Sequence, residues 1–154
     1  MTDIPTCLSK RETNLLKTIS QDRKVIEIGS LFGYSTLQLA ENALDVLSID
    51  PHKGYPEPKA PSTYRRFLKN TEHVGNIKHI KDIFQNVVIP KADMSFIDCD
   101  GTFTTTFKAL KTTSHIPIVI VHDFSRQRCK GVEQAIKQFN LVQVVDSCAI
   151  IQNN

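Results

Sequence analysis

Apolar positions along the 154-residue chain alternate between short β-branched runs and stretches with helical spacing. Ser9-Lys10-Arg11-Glu12 has the form of a capping box, in which an N-cap serine and a glutamate three residues on satisfy each other's backbone N–H groups. It predicts a helix over 9–20, with Glu12, Leu15, Leu16 and Ile19 as its inner stripe. Lys24 to Ile28 reads as a first strand, followed by a glycine-containing turn and a helix from about Ser35 to Ala43 with Leu37, Ala40 and Leu44 on one face. Val46 to Ile49 is a second strand, ending at Asp50. Residues 51–61 hold four prolines and Gly54, which excludes helix and central strand. Thr63 to His73 is a helix with Tyr64, Phe67, Leu68 and Thr71 turned inward, and Ile77 to Ile80 a third strand. Asp93 to Ile97, ending at Asp98, and Pro117 to Val121, ending at His122-Asp123, are the fourth and fifth strands. Phe103, Phe107 and Leu110 mark the helix between them, and Val132, Ala135, Ile136 and Phe139 mark the next. Leu141 to Val145 and Ala149 to Ile151 are two final strands around a turn at Asp146-Ser147.

Strands alternating with helices of about ten residues build right-handed βαβ units and a parallel sheet. The last two strands are too close in the chain for a crossover, so they pair antiparallel. The expected architecture is α/β: a Rossmann-like, doubly wound, seven-stranded and mostly parallel sheet with one antiparallel strand near the C-terminus. It forms one domain over 1–154, with a short N-terminal helix ahead of a core over 23–152. In open sheets of this kind ligands bind beyond the carboxyl ends of the strands. That directs attention to Gly29, Asp50, Asp82, Asp98 and His122-Asp123.

Composition changes little in this picture. A net charge of +3, carried on scattered Lys and Arg with short clusters at 64–66 and 126–130, describes a solvated surface better than a nucleic-acid-binding face. The cysteines at 7, 99, 129 and 148 form no C-x-x-C pair and no zinc spacing, as expected of a reduced cytosolic protein. No apolar run approaches a membrane span, and Met1 to Pro5 lacks the basic start and apolar core of a signal peptide, so a cytoplasmic location is expected.

The chemistry concentrates at two places. Gly29 and Gly33 are spaced G-x-x-x-G between a strand and a helix, where glycine lets the backbone take positive φ and approach a ligand. A dinucleotide site would want G-x-G-x-x-G, and position 31 is Leu. Asp50 follows Gly29 by 21 residues at the end of the second strand, where an acid can accept both hydroxyls of a ribose. In that order and at that spacing the pair points to a nucleoside-bearing cofactor.

At these residues the chain resembles the class I methyltransferases that use S-adenosylmethionine (SAM). The segment from Glu27 to Leu37, Glu-Ile-Gly-Ser-Leu-Phe-Gly-Tyr-Ser-Thr-Leu, is similar to their E-x-G-x-x-x-G-x-S-T motif. Ser48-Ile49-Asp50-Pro51-His52-Lys53-Gly54, Phe96-Ile97-Asp98-Cys99-Asp100-Gly101 and Val119-Ile120-Val121-His122-Asp123-Phe124 resemble, in order, motifs of one branch, as does the helix from Thr63 to Asn70. That branch holds cephalosporin-hydroxylase-like proteins and sugar or antibiotic O-methyltransferases. The resemblance implies strand order 3-2-1-4-5-7-6 with the seventh strand antiparallel. It also implies that Glu27, Gly29, Ser30, Gly33 and Ser35 serve the amino-acid portion of SAM, that Asp50 with Pro51 and His52 serves the ribose, and that Asp82 and Ile83 flank the adenine. Asp98 borders the cofactor. The chain departs from the branch at Gly101-Thr102-Phe103, where a polar residue is usual, and has no insertion for a substrate domain, so a shallow acceptor site is expected.

Methyl transfer requires donor and acceptor to be positioned and the acceptor to be deprotonated. Asp98, Asp100 and Asp123 could converge to hold a hard cation such as Mg²⁺; the competing reading has Asp98 on the cofactor and Asp123 structural. His122, with Asp98 and Asp123, is the candidate catalytic set: a general base by its ordinary pKa, or a buried histidine bonded to backbone. Tyr55 and the proline-rich loop are either a lid or a stiff connector. The expected activity is SAM-dependent methylation of a hydroxyl on a small molecule or sugar. The alternatives are a non-catalytic SAM- or nucleoside-binding module dependent on a partner subunit, and an RNA methyltransferase suggested by Arg126, Arg128 and Lys130. A homo-oligomer stays open as well.

Overall fold

The computed structural model describes residues 4–53 and 63–153. Twelve regular elements follow the expected alternation: α1 (Lys10–Ile19), β1 (Lys24–Ile28), α2 (Tyr34–Ala40), β2 (Asp45–Ile49), α3 (Thr63–Thr71), β3 (Ile77–Ile80), β4 (Met94–Ile97), α4 (Phe103–Thr112), β5 (Ile118–Val121), α5 (Lys130–Ile136), β6 (Leu141–Val145) and β7 (Cys148–Gln152). The capping box forms: the Ser9 side chain accepts from Glu12 N while the Glu12 carboxylate accepts from Ser9 N.

The seven strands lie in the order β3-β2-β1-β4-β5-β7-β6. All neighbours from β3 to β5 are parallel, and β7 runs antiparallel to both β5 and β6. β7 is therefore the single reversed strand, set by its two-residue turn from β6, which is too short to carry the chain across the sheet.

Apolar side chains leave both faces of the sheet. On one face Ile26, Ile28, Ile97, Val119 and Val121 pack against Ala109 and Leu110 of α4 and Val132, Ala135 and Ile136 of α5. On the other, Val25, Val46, Met94, Phe96 and Ile120 pack against Leu16 of α1 and Leu39 and Ala40 of α2. Burial on both sides explains why the central strands are near-continuous apolar runs instead of alternating ones. Among the described residues no helix is long and apolar enough to cross a membrane.

Two details differ from the sequence reading. α2 stops at Ala40, and Leu44, expected on its inner face, is 58% exposed in the turn to β2. On α3, Phe67 and Thr71 are buried but Leu68 points out. Residues 54–62, including Tyr55 and most of the proline-rich loop, lie outside the described residues.

Candidate active site

Strand order reverses between β1 and β4, and the crevice this opens at the carboxyl ends of the strands holds a cleft of about 940 Å³. It runs from Asp50 and Ile83 at one end to the segment Pro5–Leu8 and the turn Arg126–Cys129 at the other. Its size is at the upper end of the range for small-molecule sites. Residues 5–8 wall the end of the cleft away from Asp50.

The glycine turn forms its floor. Gly29, at φ +91°, donates its N–H to Ile49 O and lies so close to β4 that a β-carbon there would meet the Asp98 carbonyl oxygen at 1.9 Å. Glycine is thus required by the approach of the protein's own backbone. Gly33, at φ +88°, is the N-cap of α2.

Two carboxylates clamp this turn. Glu27 is fully buried on the α2 face of β1, where Ser35 Oγ and Thr36 Oγ1 each donate to it at 2.6 Å. Burial pushes its carboxyl up to about 7, against the pull of those hydroxyls. Glu27 therefore acts through α2 and does not reach the cleft. From the other side Asp50 Oδ2 accepts from Ser30 N at 2.8 Å and Leu31 N at 2.9 Å, and Oδ1 from His52 N at 2.6 Å. The Ser30 hydroxyl is buried with no hydrogen-bond partner among the described residues.

His52 and Pro51 border the cleft, but the His52 ring is turned under α3. Its Nδ1 lies 3.1 Å from Thr63 Oγ1 and its Nε2 3.2 Å from His79 Nε2, beside Tyr64 and Phe67. Burial lowers His52, and burial followed by the neighbouring His52 lowers His79 to about 4. Both rings are neutral near pH 7, so one donates to the other. At the far wall Ile83 borders the cleft, while the Asp82 carboxylate accepts from Ile83 N and Asn86 Nδ2 and is spent on its own turn.

At the opposite end a second cluster forms around His122, which is buried at the end of β5. Its Nδ1 is 3.2 Å from Asp98 Oδ1 and 3.3 Å from Asp123 Oδ1; its Nε2 is 3.7 Å from Glu12 Oε2 and 3.4 Å from an Arg126 guanidinium nitrogen. Burial opposes a charge on the ring, but Asp98, Asp123 and Glu12 together outweigh it and raise the imidazole above its ordinary value. Asp98 is the most exposed carboxylate of the cluster on the cleft, its side chain 32% exposed against 20% for Asp123.

No protein-family model matches the chain, and no curated protein matches it. Solved structures do. Cofactor-bound Rv0187 from MTB superposes with a TM-score of 0.71 at 16% identity, over 99% of this chain and 85% of that one. The O-methyltransferase from Bacillus cereus in complex with SAH superposes at 0.69 and 17%, over 94% and 82%. N-methyltransferase NodS from Bradyrhizobium japonicum WM9 superposes at 0.65 and 17%, over 92% of each. The fold is that of a class I methyltransferase. The strand order and the reversed seventh strand are those expected from the motifs.

Within this methyltransferase fold the predicted site residues divide. Gly29, Ser30, Ser35, Asp50, Pro51, His52, Ile83, Asp98, His122 and Asp123 border the cleft; Glu27, Gly33 and Asp82 do not. The three carboxylates expected to hold a cation do not converge. Asp100 borders the cleft, but its carboxylate accepts from Thr102 N, Thr102 Oγ1 and Thr105 Oγ1 and stabilises the start of α4. Asp98 and Asp123 come together with His122 instead, all three offering atoms within 4.8 Å of one another. This set does not fit Mg²⁺. Ionised carboxylates only accept, so Nδ1, facing two of them, carries its hydrogen and has no lone pair to give. The set would also put an imidazole nitrogen into the all-oxygen shell that such a cation takes.

Glu12 was read as a helix cap and as part of the inner stripe of α1. Its Oε2 does serve Ser9, but its Oε1 accepts from Ser147 N at 2.7 Å and Ser147 Oγ at 2.6 Å, and the side chain lies against His122. The only sequence signal was its place on the buried stripe of α1.

Proposed function

We propose that the chain is a SAM-dependent methyltransferase acting on a hydroxyl of a small molecule or sugar. The observation that carries this reading is the cleft at the strand-order switch, with Asp50 and the Gly29–Gly33 turn at one end and the cleft-facing Asp98 at the other. Superposable methyltransferases crystallised with SAH or SAM support it.

The residues present fit the cofactor. The turn brings backbone into the cleft floor, Asp50 stands at the end of β2 for the ribose hydroxyls, and Ile83 and Phe84 give an apolar wall for the adenine. The buried, unpartnered Ser30 hydroxyl is a spare polar group in the same turn. When bound, SAM supplies an activated methyl group. The chain's part is to orient the acceptor and take its proton. Asp98 is the group for this, because Oδ1 is held by His122 while Oδ2 has no hydrogen bond among the described residues. His122, 2% exposed, supports Asp98 through its Nδ1. Hydroxyl acceptors suit a site with a carboxylate pair, since they must lose a proton as the new bond forms.

The RNA alternative loses ground. Arg126 is spent on Asp123, Ser147 and the Cys7 carbonyl, which leaves only Arg128 and Lys130 of the basic stretch facing solvent. Calorimetric titration with SAM, with NAD as control, tests the cofactor; labelled SAM with a panel of hydroxyl acceptors tests the reaction. SAM binding with transfer to at least one hydroxyl is expected. Absence of SAM binding by the folded protein would overturn the reading.

A further inference from the structure

Resting on the methyltransferase reading, this inference concerns how the catalytic end of the cleft is held together. Asp98 Oδ1 is hydrogen-bonded to His122 Nδ1 at 3.2 Å, and Asp123 Oδ1 lies 3.3 Å from the same atom as a close polar contact. Two carboxylates this close repel unless a positive or donating group stands between them. Enzymes often place a divalent cation in such a gap. Here the gap is filled by a side chain.

We infer that the Nδ1–H of His122 takes the place of a divalent cation, bridging Asp98 to Asp123, and that Glu12 is the positioning residue that holds the imidazole in that orientation. The methyl transfer proposed above is then independent of metal.

The geometry behind His122 supports this. Groups from four elements face the ring: Glu12 from α1, Asp98 after β4, Asp123 and Arg126 after β5, and Cys148 of β7. Glu12 cannot swing away, because Ser9 and Ser147 hold both its oxygens. Those hydrogen bonds overcome the upward push of burial and keep its carboxyl below the usual range, so it is ionised. Arg126 is anchored on Asp123, Ser147 and Cys7. With three carboxylates against one guanidinium, the surroundings favour a hydrogen on Nδ1, while Nε2 is left to accept from Arg126, whose guanidinium only donates. A buried ring with a fixed N–H also needs no reorganisation during reaction.

Three measurements test this on the full chain. Nitrogen-15 NMR of His122 near pH 7 is expected to show a hydrogen-bearing Nδ1. Glu12→Gln should shift the His122 ring signals, whereas Ser9→Ala, which loosens the same helix cap, should leave them in place. Titration with Mn²⁺, followed by electron paramagnetic resonance, should show no saturable binding up to millimolar concentration, and EDTA should leave SAM affinity unchanged. Saturable micromolar Mn²⁺ binding that Asp98→Asn abolishes would overturn the bridge, as would a hydrogen-free Nδ1. Equal shifts in Glu12→Gln and Ser9→Ala would reduce Glu12 to a helix cap. SAM titration of the same sample answers separately: loss of SAM binding with the bridge signature intact removes the methyltransferase reading and leaves the bridge.

Discussion

A β-carbon on Gly29 would stand 1.9 Å from the carbonyl oxygen of Asp98, so the end of β1 and the end of β4 meet through a glycine and nothing larger. The sequence reading assigned that space to the ligand. The structure assigns it to the protein. Gly29→Ala is therefore expected to unfold the chain more than it blocks a cofactor. Positive φ for alanine and the overlap with backbone together cost about 3 kcal/mol or more. Gly75, with open space around it, is the control: Gly75→Ala should stay within about 0.5 kcal/mol. Urea denaturation of the two variants checks this. Equal stability would mean that the two strand ends can part at little cost.

Glu27 should make stability fall as pH rises. Its carboxyl titrates at about 7 in the folded protein, against 4.5 ordinarily. Between those values the native state binds the extra proton, so ΔG of unfolding declines across this window, by up to about 3 kcal/mol from this group. Glu27→Gln removes the dependence and should match or exceed the wild type at pH 8. Unfolding curves at pH 5 and pH 8 that keep the wild-type difference in Glu27→Gln would show another group to be responsible.

The His52–His79 contact works in the opposite direction. His79 is lowered from 6.5 to about 4, so between those values the unfolded chain binds more protons and stability is lost on acidification. His79→Gln keeps a polar partner for His52 and removes one titration. The expected result is less destabilisation between pH 6.5 and pH 4.5 than in the wild type. An unchanged acid limb, measured by thermal unfolding, would contradict the burial of the pair.

Asp50 and Asp82 both follow strands, and they should behave differently. Asp50→Ala is expected to weaken SAM by about 1–3 kcal/mol, through lost ribose hydrogen bonds and a loosened glycine turn. Asp82→Ala removes a carboxylate that, among the described residues, serves only Ile83 N and Asn86 and should change SAM affinity by less than about 0.5 kcal/mol. Calorimetry on both, with circular dichroism to confirm folding, decides it. Equal losses would place Asp82 on the ligand after all.

Much of the fold was legible because it is written in local periodicity. Ser9 and Glu12 announce α1 by a cap that needs only four residues, and Val25–Ile28 and Val119–Val121 announce central strands by burying both faces. The two-residue turn between β6 and β7 dictates a reversal by its length alone. The glycine spacing and Asp50 were legible for the same reason: each sits at a strand end, and strand ends in a parallel sheet converge.

What the sequence alone determined, then, is the order of elements, the sheet they build and the strand ends at which chemistry collects. Only the tertiary structure decided which way each polar side chain turns. Asp98, Asp100 and Asp82 are alike in sequence context, yet one meets His122, one meets Thr102 and Thr105, and one meets Asn86. A carboxylate turns to the donors nearest in space, and most of those come from other segments. The meeting of Glu12 with Ser147 and His122 is the fullest case, since it joins α1, the β6–β7 turn and the end of β5. No periodicity in any one segment records such a contact, because it exists only once the sheet has brought their ends together.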